Sequence, residues 1–197
     1  RLHCRHHRLG LEIKADIKLQ SGIEHVTMVQ AAVLLIFPLC MAMTAFSDLL
    51  TMTIPNRVSL VLLAAFVALA PFSGLSTPEI LLHLGAGVAV FAGCFALFAL
   101  GAMGGGDAKI LTTSAVWFGL GQPLLIYLIY VGLFGGLLSI AVLLLRANHN
   151  IIIVSRIPVP RTMLHAKKVP YGIAIGAAAF AAFPNAPIVK SVFGLLT

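Results

Sequence analysis

Two aspartates stand where an acidic side chain could do chemistry inside a hydrophobic protein. Asp48 lies at the end of an apolar run, and Asp107 lies in a later one, directly after three consecutive glycines, Gly104, Gly105 and Gly106. Each glycine costs a helix about 1 kcal/mol relative to alanine, and together they leave no side chain to keep a peptide backbone away from the acid. Because ionisable residues in apolar spans are costly, we interpret both aspartates as functional.

The glycines match no nucleotide-binding motif. A phosphate-binding loop has the pattern GxxxxGK[ST], and Lys109 has no Ser or Thr behind it. The dinucleotide-binding fingerprint requires a third glycine where this chain has Lys109. We therefore expect the glycines to serve Asp107. They should interrupt the helix, which resumes near residue 108, and Gly106 should adopt a positive φ.

A pair of carboxyl groups suits hydrolysis by an activated water molecule, as in aspartic proteases. Two carboxyls that converge in a site of low dielectric constant share one proton, because both cannot readily ionise. The ionised group takes a proton from water, and the protonated group donates a hydrogen bond to the carbonyl under attack. The other acid of the apolar region, Glu79, is explained by helix capping, and we interpret His83 as a packed or interfacial side chain. No metal is predicted, since Cys4, Cys40 and Cys94 form no CxxC pair.

The composition predicts a membrane protein. Of the 197 residues, 60% are hydrophobic and 10% are charged, whereas soluble domains are about 25% charged. The mean hydropathy of +1.05 indicates a polytopic protein built of α-helices, because lipid offers no partner for unpaired backbone groups. We predict an all-α membrane protein with about six transmembrane helices and short loops. The sequence lacks aromatic–basic clusters, so we expect no nucleic-acid partner.

Six apolar segments account for the predicted helices: residues 26–46, 58–72, 79–103, 108–120, 124–145 and a last one from about 169 to 183. The first is predicted to end at Ser47-Asp48. Thr77 is predicted as the N-cap of the third, with Pro78 and Glu79 in its first turn. Beyond the sixth segment we predict a short amphipathic tail.

The chain is predicted to hold a single polytopic domain, residues 26–197, preceded by a polar tail at 1–25. Two interpretations of the tail stay open. It is either an extension foreign to the native protein, with translation starting at Met28, or a genuine flexible or interfacial segment.

The positive-inside rule orients the predicted helices. Arg57, Lys109 and the basic loop at 146–168 alternate with loops that lack Lys and Arg. Asp48 and Asp107 are therefore predicted on the cytoplasmic side of the membrane, with both termini outside.

Three motifs carry a resemblance to a known family. They are Asp48 followed after five residues by Ile54-Pro55-Asn56, then Gly104-Gly105-Gly106-Asp107-Ala108-Lys109, and finally Val169-Pro170-Tyr171-Gly172. Together they resemble the type IV prepilin peptidases, and more closely the short members that process Flp-type pilins in tight-adherence pilus systems. The likeness covers residues 28–183.

The resemblance implies an intramembrane-type aspartic endopeptidase of GxGD architecture. It would remove the basic leader of a prepilin, cutting after a glycine ahead of an apolar helix, at the cytoplasmic face of the bacterial inner membrane. Asp48 and Asp107 would be the catalytic pair. The glycines Gly104, Gly105 and Gly106 would form the substrate approach, with supporting positions at Ile54, Pro55, Asn56, Lys109, Pro170, Tyr171 and Gly172. The implied partners are the prepilin and the lipid bilayer, and no cofactor is implied.

The chain departs from this family pattern in two respects. Many relatives carry basic residues between the first aspartate and Ile-Pro-Asn, where this chain has Leu50, Met52 and Thr53. The larger bifunctional relatives also carry a loop with two CxxC pairs and methylate the mature N-terminus. That loop is absent from this sequence, so methyltransferase activity is not implied.

Two functions of other classes remain open. A small ion- or proton-coupled transporter also uses paired intramembrane acids, although transporters bind their ions near the midplane, and here both acids are predicted at one membrane face. A non-catalytic scaffold for pilus assembly would tolerate the loss of both carboxyls.

Overall fold

The computed structural model describes residues 2–147 and 169–194, and the regular structure of these residues is helical. In chain order the α-helices are α1 Leu2–Thr51, α2 Asn56–Leu69, α3 Thr77–Ala99, α4 Gly105–Phe118, α5 Gln122–Ala147, α6 Tyr171–Ala182 and α7 Pro187–Gly194. Short 3-10 turns at Ala70–Phe72 and Phe183–Asn185 extend α2 and α6. Residues 2–25, which were predicted as part of a polar tail, are helical and form the first part of α1. The predicted fold class, an all-α membrane protein, is confirmed.

Four helical segments are long and apolar enough to cross a membrane: Thr27–Thr51, Thr77–Ala99, Gln122–Leu145 and Tyr171–Gly194. α2 with its 3-10 turn, Asn56–Phe72, is a shorter apolar helix. α4 has 14 residues and so is about 21 Å long, less than the roughly 30 Å of a bilayer's hydrocarbon core. All six predicted helices are present, but α2 with its 3-10 turn and α4 have fewer residues than the other four segments. The predicted amphipathic tail forms α7, which exposes Lys190 and buries apolar side chains.

The end of α1 differs from the prediction. The helix runs past Ser47-Asp48 and ends at Thr51, so Asp48 lies in its last turn. Within this last stretch of helix the Ser47 and Thr51 hydroxyls donate to carbonyl oxygens of the preceding turn, so these polar side chains are satisfied without leaving the helix. The chain leaves the helix through Met52, whose φ of 54° is left-handed and whose N–H donates to the Asp48 carbonyl at 3.0 Å.

Two helix starts also differ from the prediction. α3 takes Ser76 rather than Thr77 as its N-cap, because the Ser76 N–H and hydroxyl both donate to the Glu79 carboxylate. α4 begins earlier than predicted, at Gly105, so Asp107 lies in its first turn. The carboxyl of Asp107 is therefore carried by a helix and not by a loop.

The core around α4 is aromatic. The Trp117 ring on α4 lies 5.1 Å from Phe37 of α1 and 5.8 Å from Phe66 of α2, between centroids. Its indole N–H donates to the Leu62 carbonyl at 3.1 Å, and Phe37 stacks on Phe183 at 4.5 Å. Each such ring pair contributes about 0.5–1.5 kcal/mol beyond area burial. These contacts hold α4, and with it Asp107, at a fixed position relative to α1 and α2.

His83 is packed, as one of the two sequence interpretations had it. The side chain is buried, its Nδ1 lies 2.6 Å from the Val116 carbonyl oxygen, and its ring stacks on Phe66 at 5.2 Å. Gly119 follows α4 with a φ of 66°, and a Cβ at this position would lie 3.0 Å from the His83 ring. Both the backbone conformation and the close ring therefore require glycine here.

We expect Gly119→Ala to lower the free energy of unfolding by about 1–2 kcal/mol, because it adds a left-handed strain to a clash with the ring. Thermal unfolding of the purified protein in detergent measures this change. The matched control is Gly194→Ala, where an added Cβ meets no atom within 4 Å. Equal melting temperatures for the two variants would contradict the prediction.

Candidate active site

One cavity of about 250 Å³ is lined by both candidate aspartates. Asp48 comes from the last turn of α1, and Asp107 comes from the first turn of α4. The other lining residues belong to the α1–α2 loop, to the start of α2, to the glycine segment and to the approach to α6: Met52, Thr53, Ile54, Asn56, Gly104, Gly105, Gly106 and Val169. The two carboxyls are the acidic groups among these lining residues. Across residues 2–147 and 169–194, no three His, Cys, Asp or Glu side chains cluster to hold a metal ion.

The carboxyl of Asp48 is held by the backbone of α6. Asp48 is only 5% exposed, and its Oδ2 accepts a hydrogen bond of 2.6 Å from the Gly172 N–H. This N–H is free to donate because it lies in the first turn of α6, where backbone donors have no partner within the helix. A Cβ on Gly172 would lie 2.8 Å from both Cβ and Oδ2 of Asp48. The contact therefore depends on glycine at this position.

Asp107 occupies the third position of α4 and is partly buried. An acid in the first turn of a helix is stabilised by the helix dipole. A Cβ on Gly104 would lie 2.9 Å from Asp107 Oδ2, so the N-cap glycine leaves space that the carboxyl occupies. Asp107 also lines two neighbouring cavities, of about 320 and 210 Å³, which extend toward α5 and α6. Three cavities of the described structure therefore meet at Asp107.

The other two glycines of the segment lie near Phe98 and Ile54. A Cβ on Gly105 would lie 3.4 Å from the Phe98 ring, and one on Gly106 would lie 3.4 Å from Ile54 Cβ, which are ordinary van der Waals distances. Neither has a positive φ, so the prediction for Gly106 is wrong. The left-handed turn in this region falls earlier, at Gly101, whose φ is 72°. Of the three glycines, Gly104 is therefore the one where an added Cβ would clash.

Lys109 joins α4 to the start of α2. Its Nζ donates to Asn56 Oδ1 at 3.0 Å, on the exposed side of both helices. Asn56 is the first residue of α2, directly after Pro55 at the N-cap position. Both predicted supporting positions thus lie beside the cavity, and Asn56 lines it.

Pro170 and Tyr171 begin α6 next to Asp48. Pro170 is buried at the N-cap position, and the Tyr171 hydroxyl lies 3.0 Å from the Ser139 hydroxyl of α5. The Tyr171 ring also covers Gly135, where a Cβ would lie 3.3 Å from it. These contacts fix α6 against α5 and so hold the Gly172 N–H toward Asp48.

Sequence reasoning missed several residues of this site. Met52, Thr53 and Val169 line the cavity, and their nearness in sequence to Asp48 or to Pro170 was the available signal. Ser139 offered none, because its partner lies 32 residues away on another helix. Hydroxyls of this kind are common in apolar helices, and only the packing of α5 on α6 selects this one.

A model of the type IV leader peptidase family matches residues 35–140. The matched region includes Asp48, the α1–α2 loop and the glycine segment with Asp107, and it ends within α5. Searches of curated proteins and of solved structures found no match. Because the match covers more than half of the chain and contains both acids of the cavity, this protein belongs to the type IV leader peptidase family.

Proposed function

We propose that this protein is an aspartic endopeptidase that removes the leader of type IV or Flp-type prepilins. The observation that carries the proposal is the cavity lined by both Asp48 and Asp107. Two carboxyls that line one small cavity can divide the work of hydrolysis between them, one as a base and one as an acid. No methyl transfer to the product is part of the proposal.

In the proposed reaction the two carboxyls carry one proton between them. The ionised carboxyl takes a proton from water as the water oxygen adds to the scissile carbonyl carbon, and the protonated carboxyl gives its proton to the carbonyl oxygen. The tetrahedral intermediate then collapses: one of its hydroxyls returns a proton to the acid carboxyl, the carbon–nitrogen bond breaks, and the leaving amine takes the proton that the base received from water. The products are a leader with a new carboxyl terminus and a mature chain with a new amino terminus, and no covalent enzyme intermediate forms.

The surrounding backbone supports this role. The Gly172 N–H orients Asp48 through its hydrogen bond of 2.6 Å, so that carboxyl needs no rearrangement before reaction. At Asp107, Gly104 and Gly106 present no side chain toward the cavity. An extended peptide can then approach Asp107 with its backbone in contact with the enzyme backbone.

Lys109 lies outside this chemistry in our proposal, because its Nζ bonds to Asn56 on an exposed surface. We expect Lys109→Gln to keep its cleavage rate within about tenfold of wild type, since one exposed hydrogen bond contributes about 1 kcal/mol. Steady-state cleavage of a peptide substrate by the purified variant measures this. A loss comparable to that of an aspartate variant would assign Lys109 a direct part in catalysis.

We propose that the cavity faces the cytoplasm of a bacterial cell, from the inner membrane, because Arg57 and Lys109 lie on the same side as both acids. A cysteine at exposed Thr53, in a variant without the native cysteines, should then react with an impermeant thiol reagent only after the cells are opened. The matched control is a cysteine at exposed Gln122, the first residue of α5, which we place on the opposite side and which should react in intact cells. The reverse pattern would overturn the orientation.

The proposal is tested with purified wild-type protein and a synthetic peptide that joins a lysine-rich leader, a glycine and an apolar helix. We expect a single cut on the carboxyl side of the glycine, detected by mass spectrometry. A peptide with leucine in place of that glycine serves as the control for site selection. If the first peptide stays intact while the protein remains folded, the peptidase proposal fails, and the scaffold or transporter functions take its place.

A further inference from the structure

A groove lined mainly by apolar residues leads directly to Asp107. The cavity of about 320 Å³ beside this acid is otherwise lined by apolar and small residues of α3, α4, α5 and α6, among them Leu97, Leu111, Val131 and Tyr171. One side chain of this lining is acidic, and the acid is the one that also faces the cavity shared with Asp48. The apolar groove and the polar cavity therefore meet at one carboxyl.

The groove continues along α3 and α5. A further apolar cavity shares Leu97, Met103 and Leu111 with it and extends to Cys94 of α3 and Leu124 of α5. We call this combined surface the α3–α5 groove.

Its length suits a helical segment. The residues of α5 that line the groove recur at helical spacing, from Leu124 through Leu128 and Val131 to Gly135 and Gly136, so they share one face of that helix. At 1.5 Å per residue this face runs for about 18 Å, more than half of the roughly 30 Å of a bilayer's hydrocarbon core. Of the four long apolar segments, the one in α5 is the least buried by the rest of the protein.

The α3–α5 groove and the cavity shared by Asp48 and Asp107 differ in charge. Among the residues that the structure describes, which leave out 148–168, those that line the three cavities at Asp107 include two carboxyls and no lysine or arginine. A cationic segment is favoured beside these carboxyls, whereas an apolar segment is favoured along α5. A substrate that changes from cationic to apolar at the scissile bond would match the cavity with its cationic part and the groove with its apolar part.

We propose that the apolar segment on the carboxyl side of the scissile bond lies as a helix in the α3–α5 groove, while the cationic leader lies over the cavity of Asp48 and Asp107. This inference rests on the proposed peptidase function and adds where on the enzyme the substrate lies. Tyr171 forms the end wall of the groove, because it lines the cavities on both sides of the approach to Asp107 and is held by Ser139.

A second apolar groove exists on the surface of α1 and provides the competing location. It is lined by α1 residues from Ala42 to Thr51 and contains neither Asp48 nor Asp107 in its wall. A substrate helix lying in that groove would not contact either acid. Continuity with Asp107 is thus the feature that favours the α3–α5 groove.

Photo-crosslinking tests the location. The probe is the lysine–glycine–apolar peptide with photoreactive diazirine leucines in its apolar segment and a reduced, uncleavable bond after the glycine. Wild-type protein in lipid nanodiscs is irradiated with this probe, and the labelled residues are mapped by mass spectrometry. We expect label on α3 near Leu97 and on α5 near Val131, and at least tenfold less on α1 near Met43. Label concentrated on α1, or spread evenly over the lipid-facing residues, would overturn the proposal.

A variant pair gives a second measurement. A Cβ on Gly136, which lines the groove, meets no atom within 4 Å, so the backbone accepts a side chain there, and we expect the Gly136→Trp ring to lie in the groove. We expect the KM for the cleavable peptide to rise at least tenfold with a smaller change in kcat. Leu137→Trp, on an exposed neighbour that does not line the groove, should leave KM unchanged. Equal KM values for the two variants would contradict the proposed location. Failure of wild-type protein to cleave the peptide would instead contradict the peptidase function, and the photo-crosslinking map would then test by itself whether the peptide lies in the α3–α5 groove.

Discussion

Asp48→Asn and Asp107→Asn should each reduce leader cleavage at least 100-fold. An amide can neither take a proton from water nor give one to the scissile carbonyl, and general acid–base catalysis of this kind contributes about 100- to 10,000-fold. Both carboxyls face one cavity, so the loss of either leaves the other without its partner. The measurement is the rate of peptide cleavage by each purified variant, at equal concentrations of folded protein.

The structure predicts that these variants fold. Asparagine at position 48 retains an oxygen that can accept the Gly172 N–H, which holds Asp48 in the wild-type protein. Glu79→Gln is the matched control, because this acid caps α3 through Ser76 and lines none of the cavities at Asp107. It should cleave at the wild-type rate. If Glu79→Gln lost activity as fully as the aspartate variants, the effect could not be assigned to the cavity.

Gly172→Ala should have the second-largest effect, although it changes no group that reacts. The added Cβ would lie 2.8 Å from Asp48 Cβ, whereas carbon atoms in contact are about 3.5–4.0 Å apart. α6 or the Asp48 side chain must therefore shift by about 1 Å, and a displacement of that size can cost about 100-fold in rate. The hydrogen bond from the Gly172 N–H would be lost or lengthened at the same time.

The control for this prediction is Gly194→Ala, where an added Cβ meets no atom within 4 Å. We expect Gly172→Ala to lower kcat while the variant still inserts into membranes and binds the uncleavable peptide. Full activity of Gly172→Ala would mean that the contact between α6 and Asp48 does not orient the carboxyl during the reaction.

The sequence alone predicted the fold class and the pair of acids for physical reasons. Lipid offers no partner for unpaired backbone groups, so long apolar runs form helices, and composition with apolar run lengths was enough to locate the apolar helices of the chain. Acids are costly in apolar segments, and this made Asp48 and Asp107 conspicuous. The glycines beside Asp107 were conspicuous as well: their role as a bare approach for a peptide stays a prediction, whereas the positive φ expected of Gly106 is wrong.

Contacts between distant segments could not be predicted. Gly172 donates to Asp48 across 124 positions of sequence, and the donor is a backbone N–H that any residue except proline would offer. Helix ends were misplaced for a related reason. Whether α1 stops at Asp48 or at Thr51 depends on hydroxyls that bond back into the helix, and the same residue types also occur where helices end. The α3–α5 groove depends on the packing of four helices and has no motif of its own.

The central claim is that Asp48 and Asp107 act as one catalytic unit. It is tested most directly by single-turnover cleavage of the lysine–glycine–apolar peptide by four proteins: wild type, the two asparagine variants and the double variant. Residues that act as a unit are not additive, so we predict that the double variant is within about threefold of either single variant, and that all three are at least about 100-fold slower than wild type. A single variant that cleaves at a tenth of the wild-type rate or faster, or a double variant slowed by the product of the two single effects, would contradict the claim.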